Sequence, residues 1–304
     1  MRLFKKTNIN FMGLRGKMYI VSTVIILAGM VSLLVKGVDY GIDFRGGTEL
    51  VLQFNTKPDY ASLRAALGKE GLGDTEIKSF GSEQRILVRT GEQGELATVA
   101  AKIEDALRKN LPNVPFQDLG GSTIGPKIGK ELRQDAVYAV VASLIAILAY
   151  VAIRYKFIYG VGAILSLYHD VLLTLGLISI LDGLTPLLNL EISQDMIAAF
   201  LTLVGLSVND TVVIFDRMRE NQKIYRTMPL MEVMNKSLND TLSRTIITSG
   251  TIFIVLIVLL LFGGEVTRGF AFTLTIGITT GTYSSIYIAS AVVLDWSYRK
   301  KKGK

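Results

Sequence analysis

Long apolar segments dominate the pattern of hydrophobic and polar positions along this chain. Six of them reach the length of about 20 residues that an α-helix needs to cross a bilayer. Apolar residues occupy every face of each segment, unlike the single apolar face of a helix in a soluble domain. The pattern therefore predicts six transmembrane helices, at approximately residues 18–36, 136–153, 158–180, 196–216, 245–263 and 270–293.

The segment between the first two spans, residues 37–134, has a different pattern of short alternating runs. Strands are predicted at 48–54, 75–81, 84–90 and 113–121, and helices at 58–71 and 95–111. The order βαββαβ is that of a ferredoxin-like sandwich. We therefore predict a polytopic α-helical membrane protein with six transmembrane helices and one extramembranous α+β (ferredoxin-like βαββαβ) domain.

Composition and charge agree with this architecture and orient it. Hydrophobic residues make up 50% of the chain and charged residues only 19%. Lys and Arg cluster in the N-terminal segment 1–17, in the links after spans two and four, and in the tail 296–304. The positive-inside rule then predicts that both termini are cytoplasmic and that the 37–134 domain lies outside the cytoplasm.

The same distribution accounts for the net charge of +7. Basic loops beside spans indicate topology and contact with anionic membrane lipids, so we expect no nucleic-acid partner. The first span resembles a signal peptide in its basic flank. Its exit, "LLVKGVDYG", lacks the small-residue cleavage pattern, which favours an uncleaved anchor.

The residues that most enzyme and metal sites require are scarce. The chain has no cysteine and a single histidine, His169 in span three. The extramembranous domain has neither, and its acidic residues are scattered among basic ones, as on a solvated surface. We therefore expect no enzymatic activity, no metal site and no organic cofactor.

Polar residues inside the spans are the main candidates for function. Asp210 lies deep in span four beside Asn209, and a charged side chain there costs about 3 kcal/mol. A buried carboxylate on the edge of protonation can relay protons, and intramembrane carboxylates generally mark ion paths. Arg244, at the start of span five, is the nearest basic candidate to pair with Asp210.

The other polar residues of the spans are open to two interpretations. These residues are His169 and Asp170 in span three, Ser207 and Asn209 in span four, and Thr248 in span five. They are candidates either for the proton pathway or for hydrogen-bonded helix contacts. In span six, Gly277 and Gly281 form a GxxxG pattern that predicts close helix packing.

Glycines also mark the two junctions of the extramembranous domain. Gly46 and Gly47 precede its first strand, Gly120 and Gly121 end the last predicted strand at the exit, and Gly125 follows them. Paired glycines permit positive φ or a close backbone approach, so a tight turn explains the first pair. Glycines at both junctions also support the hypothesis of a hinge between the domain and the membrane.

Several long motifs in order carry a family resemblance across almost the entire chain. They are "GIDFRGGTEL" (41–50), "GSTIGPKIGKEL" (121–132), "HDV" (169–171), "GLSVNDTVVIFDRMREN" (205–221) and "LSRTIITSGT" (242–251). Through them the chain resembles the SecF branch of the SecD/SecF family of bacterial protein-export membrane proteins, within the resistance-nodulation-division-like superfamily. Arg45, inside the first motif, departs from the family pattern.

The resemblance implies a subunit that pairs with SecD in the bacterial cytoplasmic (inner) membrane. It implies work beside the SecY/SecE/SecG channel, SecA and YajC on unfolded preproteins, with the proton gradient driving late export. It also implies that Asp210 and Arg244 belong to the proton pathway. Two alternatives remain: half of a proton-driven small-molecule or lipid exporter, and a non-conducting scaffold for the export channel.

Overall fold

The structure is a computed structural model that describes residues 7–73, 75–184 and 190–302. Residues 1–6 of the predicted N-terminal segment and 303–304 of the basic tail lie outside the described residues. Within that part of the chain, six helices are long and apolar enough to cross a membrane. The prediction of a multi-pass helical membrane protein is therefore confirmed.

The spanning helices extend beyond the apolar runs that predict them. Their bounds are α1 (Arg15–Lys36), α5 (Pro126–Arg154), α6 (Phe157–Leu181), α7 (Gln194–Ile224), α8 (Leu230–Phe262) and a last span in three consecutive parts. Those parts are α9 (Gly264–Ser284), a π-helix (Ser285–Ala289) and α10 (Ser290–Lys302). The ends of α7 and α8 beyond the apolar runs are polar and bind each other, for example through Arg217 and Asp240 at 2.8 Å.

The segment between α1 and α5 forms a small sheet covered by helices. Its elements are α2 (Ile42–Arg45), β1 (Gly47–Phe54), α3 (Tyr60–Lys69), β2 (Glu76–Ser79), β3 (Arg85–Thr90), α4 (Leu96–Asn110) and β4 (Phe116–Ile124). The strands lie in the order β2-β3-β1-β4, and every neighbouring pair is antiparallel. Helices α3 and α4 contribute Leu63, Leu67 and Ile103 to a core with the alternate residues Leu50 and Leu52 of β1.

The last strand corrects one position in the sequence analysis. Gly120 and Gly121 lie inside β4, where Gly121 pairs with Leu50, and not at the exit from the domain. A Cβ on Gly121 would lie 2.1 Å from the carbonyl oxygen of Glu49, so the close approach of two strands explains this glycine. Gly120 has a φ of 103° at the bulge where the strand register shifts.

Helices α6, α7 and α9 form the centre of the bundle, and α1 packs along α6. The crossing of α1 and α6 is close because Gly29 faces Gly176: a Cβ on Gly29 would lie 2.4 Å from the Cα of Gly176. The two helices are also joined by the hydroxyls of Ser32 and Ser179, 2.8 Å apart. Small residues thus set the α1–α6 contact, as in other membrane helix pairs.

Candidate functional site

Asp210 is a buried carboxylate at the meeting point of three spans. Its side chain is on α7, and the residue is 8% exposed. Oδ2 accepts a hydrogen bond from the hydroxyl of Ser249 on α8 at 3.0 Å. Ser249 in turn accepts one from Thr282 on α9 at 2.9 Å. The predicted burial of Asp210 is therefore correct, and one hydroxyl group, that of Ser249, bonds to its carboxylate.

A second carboxylate, Asp170 on α6, is buried more deeply, with 1% of its surface exposed. Its Oδ2 accepts from Ser207 of α7 at 2.5 Å and from Ser284 of α9 at 2.8 Å. Its Oδ1 lies 3.0 Å from Nδ1 of the neighbouring His169. The structure thus brings together three of the polar residues that the sequence singles out, namely Asp170, His169 and Ser207.

His169 extends this polar cluster to the first span. Its Nε2 lies 2.8 Å from the hydroxyl of Ser22, and Ser22 lies 2.9 Å from the hydroxyl of Tyr283. Tyr283 donates to the backbone carbonyl of Met18 at 2.8 Å and stacks on the histidine ring. A continuous line of hydrogen bonds therefore runs from Asp170 toward the end of α1 that lies nearer the N-terminus.

Small residues on α9 allow these helices to approach. A Cβ on Gly277 would lie 2.7 Å from a methyl group of Leu203 on α7. One on Gly281 would lie 3.2 Å from the Cβ of Ser207, the residue that donates to Asp170. The GxxxG pair thus lies against α7 at the level of the buried carboxylates.

Arg244 and Asn209 lie apart from these contacts. Both are exposed, Arg244 on α8 and Asn209 on α7, and Thr248 is half-buried one turn from Arg244. No ion pair joins Arg244 to Asp210 within the described part of the chain. Two polar side chains therefore emerge from apolar spans onto the outer surface of the bundle.

The backbone at the entry junction of the domain adopts a conformation that favours glycine. The backbone at Gly125, at the exit junction, does not. Gly46 and Gly47 have φ values of 72° and 117°. Gly46 closes the short helix α2, and a Cβ on Gly47 would lie 2.5 Å from the carbonyl oxygen of Thr90. Gly125 has ordinary extended geometry in front of α5, with open space around it.

Sequence reasoning missed an ion network that ties the domain to the bundle. Glu191, in the link between α6 and α7, is 7% exposed. It accepts from Arg89 of β3 at 2.6 Å and from Lys78 of β2 at 2.9 Å. Burial by itself raises the pKa of Glu191, but the two cations outweigh burial and hold that pKa below its usual value.

The network also includes Arg45, which precedes the glycine pair at the entry to the domain. Arg45 pairs with Asp39 at 3.0 Å and with Glu76 at 3.3 Å. Asp39, Glu76 and Glu191 lie close enough to hold a cation together, and the ammonium of Lys78 bonds to all three. Arg45 thus has a place in the contact between the domain and the membrane.

Backbone contacts accompany these ion pairs. The N–H of Ile192 donates to the carbonyl of Asp39 at 2.8 Å, and the N–H of Gly41 donates to the carbonyl of Ile192 at 3.0 Å. Lys36, at the end of α1, donates to the carbonyls of Ser179, Ile180 and Asp182 at the end of α6. Individual residues such as Ser22 and Ser32 in α1 and Glu191 in a short link gave no sequence signal of their distant partners.

These features define a class of protein before any comparison. The chain is a multi-pass membrane protein with buried, hydroxyl-solvated carboxylates in its bundle and one small domain docked on it through ion pairs.

The comparisons with known proteins give the family. Residues 102–299 match the model "Protein export membrane protein SecD/SecF, C-terminal", and residues 31–58 match "SecD/SecF GG Motif". The protein translocase subunit SecF of Rhodothermus marinus is 44% identical over 97% of this chain and 95% of its own length. The chain belongs to the SecD/SecF family of protein-export membrane proteins.

A fused relative and its solved structure extend the comparison. The protein translocase subunit SecDF of Thermus thermophilus is 39% identical over 96% of this chain and 39% of its own length. The crystal structure of SecDF, described as a translocon-associated membrane protein, aligns at 37% identity with a TM-score of 0.85 over 98% of this chain. The chain spans 40% of that SecDF chain, and a super-membrane-facing form of SecDF aligns at a TM-score of 0.70.

Proposed function

We propose that this chain is the SecF subunit of a SecD–SecF complex that assists Sec-dependent protein translocation by using the proton gradient. The observation that supports it best is Asp210, which is buried in the bundle and accepts a hydrogen bond from Ser249, itself bonded to Thr282. A carboxylate in this setting changes charge when it takes up a proton, so it can couple proton entry to a change in helix packing.

The energy available per proton is sufficient to bias two arrangements of the bundle. One charge that crosses 100 mV yields about 2.3 kcal/mol. A positive charge such as that of Arg244, on the neighbouring helix α8, would favour the charged form of a carboxylate, and no ion pair holds Asp210 in that form. We propose that Asp210 binds the transported proton and that Arg244 favours its release.

The partner SecD follows from the exposed polar side chains of the spans. Asn209 and Arg244 cannot face lipid without a cost of several kcal/mol, so a second membrane protein is expected to cover them. The SecDF relative carries both halves in one chain, which favours a SecD bundle as that cover. The channel SecY/SecE/SecG, SecA, YajC and the unfolded preprotein are proposed as further partners.

Location and domain structure complete the proposal. The Lys and Arg distribution supports a bacterial inner-membrane protein with both termini in the cytoplasm. Residues 37–134 would then face outward, and the interleaved sheet order β2-β3-β1-β4 supports a ferredoxin-like domain. We propose that this domain acts on the emerging preprotein while Gly46 and Gly47 provide the turn at its entry.

The Asp210→Asn variant tests this function in cells that lack the native gene. We expect the precursor of a pulse-labelled secreted protein to accumulate, since Asn cannot bind and release a proton. Ser166→Ala is a matched control, because the Ser166 hydroxyl is buried but bonds within its own helix to Ala163. Normal export with Asp210→Asn in a normally assembled complex would contradict the proton-coupled function and support the non-conducting scaffold instead.

A further inference from the structure

The His169–Asp170 pair is a second buried titratable site, separate from Asp210. We propose that it binds and releases a proton, as a second station on the pathway that the proposed function assigns to Asp210. The inference rests on that function, and it gives the first span a part in proton transfer. Its basis is the geometry of the hydrogen bonds around the pair.

The polar atoms around the His169–Asp170 pair can form hydrogen bonds with either of two protonation states of the pair, and no heavy atom has to move between them. With a neutral ring, Nδ1–H donates to Asp170 Oδ1 and Nε2 accepts from Ser22. With one added proton on Nε2, the ring donates to Ser22, Ser22 donates to Tyr283, and Tyr283 donates to the Met18 carbonyl. Only hydroxyl hydrogens turn, and the charge of the pair changes from −1 to zero.

Hydroxyl groups from three helices surround the pair. Ser207 of α7 and Ser284 of α9 donate to Asp170 and stabilise its charge. Ser22 of α1 supplies the other hydroxyl, and Tyr283 is the titratable group in contact, with Tyr287 packed against it. Within the described residues, no lysine or arginine forms an ion pair with Asp170. Proton uptake therefore removes an otherwise uncompensated buried charge.

The two carboxylates are linked through the same pair of helices. On α9, Thr282 belongs to the Asp210 cluster and Ser284 to the Asp170 cluster. On α7, Ser207 donates to Asp170 one turn away from Asp210. Thr211, beside Asp210, is 1% exposed, and its hydroxyl has no hydrogen-bond partner among the described residues. Buried hydroxyls without a partner are uncommon, so Thr211 is a further unusual polar group next to Asp210.

The helix beside the pair has an irregular turn. The π-helix Ser285–Ala289 begins directly after Ser284, and Ser290 donates to the widened turn at the carbonyl of Ser285, 2.8 Å away. Single π-turns inside α-helices are frequent at functional sites. Gly162 of α6 makes room for this turn, since a Cβ there would lie 2.8 Å from the carbonyl oxygen of Ala289. The last span can therefore adjust its packing next to Asp170.

The test uses the complex with SecD, purified and reconstituted in liposomes that contain a pH-sensitive dye. An imposed pH gradient drives proton entry, which is measured for Asp170→Asn, Asp210→Asn and the Ser166→Ala control. We expect Asp170→Asn to slow gradient-driven entry by about 10²-fold, the usual effect of losing a positioned proton donor or acceptor. Ser166→Ala should conduct at the wild-type rate.

His169→Gln separates proton binding from helix packing, because Gln keeps a side-chain hydrogen bond but does not titrate near neutral pH. We expect the pH dependence of proton entry to lose the step that His169 contributes, and we expect this even if Asp170→Asn does not assemble. A wild-type pH profile for His169→Gln would overturn the inference. So would a wild-type rate of proton entry for Asp170→Asn while Asp210→Asn is inactive. Either result would leave the proposed function intact. Wild-type entry in both aspartate variants would instead refute the proposed function itself.

Discussion

Glu191 illustrates how much depends on one side chain in this molecule. It is the acidic partner through which the bundle holds Arg89 and Lys78 of the domain. Buried ion pairs stabilise little compared with apolar packing, but removing one partner leaves the other charge uncompensated. A single substitution in the link between α6 and α7 is therefore expected to loosen the domain without unfolding it.

The Glu191→Gln variant should weaken this docking by about 3 kcal/mol, at the lower end of the usual range because Arg89 retains Glu49 and Glu76. Hydrogen exchange at the amides of Ile192 and Gly41, which bond across the contact, measures the effect. Glu83→Gln removes an exposed pair with Lys57 and should leave these amides unchanged. Equal protection in both variants would contradict the assignment.

The same contact should depend on pH in one direction. The pKa of Glu191 is lower in the folded protein than in the unfolded chain, so ionised Glu191 stabilises the docked state above the unfolded value of about 4.3. This contribution is lost as the pH falls through the lower, folded pKa. The protection factor of the Ile192 amide, measured relative to the intrinsic exchange rate at each pH, should therefore fall in acid for the wild type, and Glu191→Gln should abolish that fall.

The pairing of α1 with α6 depends on glycine in a way that other positions of α1 do not. Gly29 faces Gly176 with no space for a side chain, whereas Gly16 has open space around it. Backbone contact of this kind cannot relax by a rotamer change. Substitution at the crossing must therefore separate the two helices.

We expect Gly29→Leu to prevent a disulfide between S32C and S179C, whose parent hydroxyls lie 2.8 Å apart. The natural chain has no cysteine, so the engineered pair is the only one present. Gly16→Leu is the matched control in the same helix and should leave disulfide formation unchanged. Efficient cross-linking in Gly29→Leu would show that the crossing tolerates a side chain.

The helices were more predictable from sequence than the contacts between them. Length and apolarity suffice for six spans, and Ser207 with Asp210 marks a polar face of α7 because both belong to one helix. Ser166 shares such a face with Asp170 in the sequence, yet its hydroxyl bonds to its own backbone. Ser22, Ser249 and Glu191 contribute through partners far along the chain, and periodicity carries no information on those.

The domain and the bundle meet through a largely polar contact with free space beside it. A cavity of about 340 Å³ lies beside this contact. It is lined by Leu33 and Leu175 and by the charged residues Lys36, Asp39 and Glu76. Ion pairs at such a contact can exchange for water at lower cost than an apolar interface can. This arrangement suits a domain that leaves its docked position during the export cycle.

A cleavable cross-link tests this movement. Joining K78C to E191C with a short reducible bis-maleimide should stop export, because the link replaces an ion pair between the domain and the bundle. Reduction should restore export. Joining K57C to E83C, an ion pair within the domain, provides the control and should have no effect. Full export from linked K78C–E191C protein would mean that the domain works while docked.

The close packing of α1 and α6 has a mechanical consequence. The two helices form one rigid unit, referred to here as a rod, through the contact of Gly29 with Gly176 and the hydrogen bonds of Lys36. The domain is attached to the end of this rod at Lys36. Ser22 lies 14 residues along α1 from Lys36, about 21 Å at 1.5 Å per residue, and moves with His169 as part of that rod. A pulling load on the domain would then reach α7 and α9 through the contacts of α6, which include the bonds of Ser207 and Ser284 to Asp170. A force exerted by the preprotein on the domain and the protonation of Asp170 would thus act on the same two hydroxyl groups. The force would therefore change the ease of protonation, and protonation would change the resistance to the force.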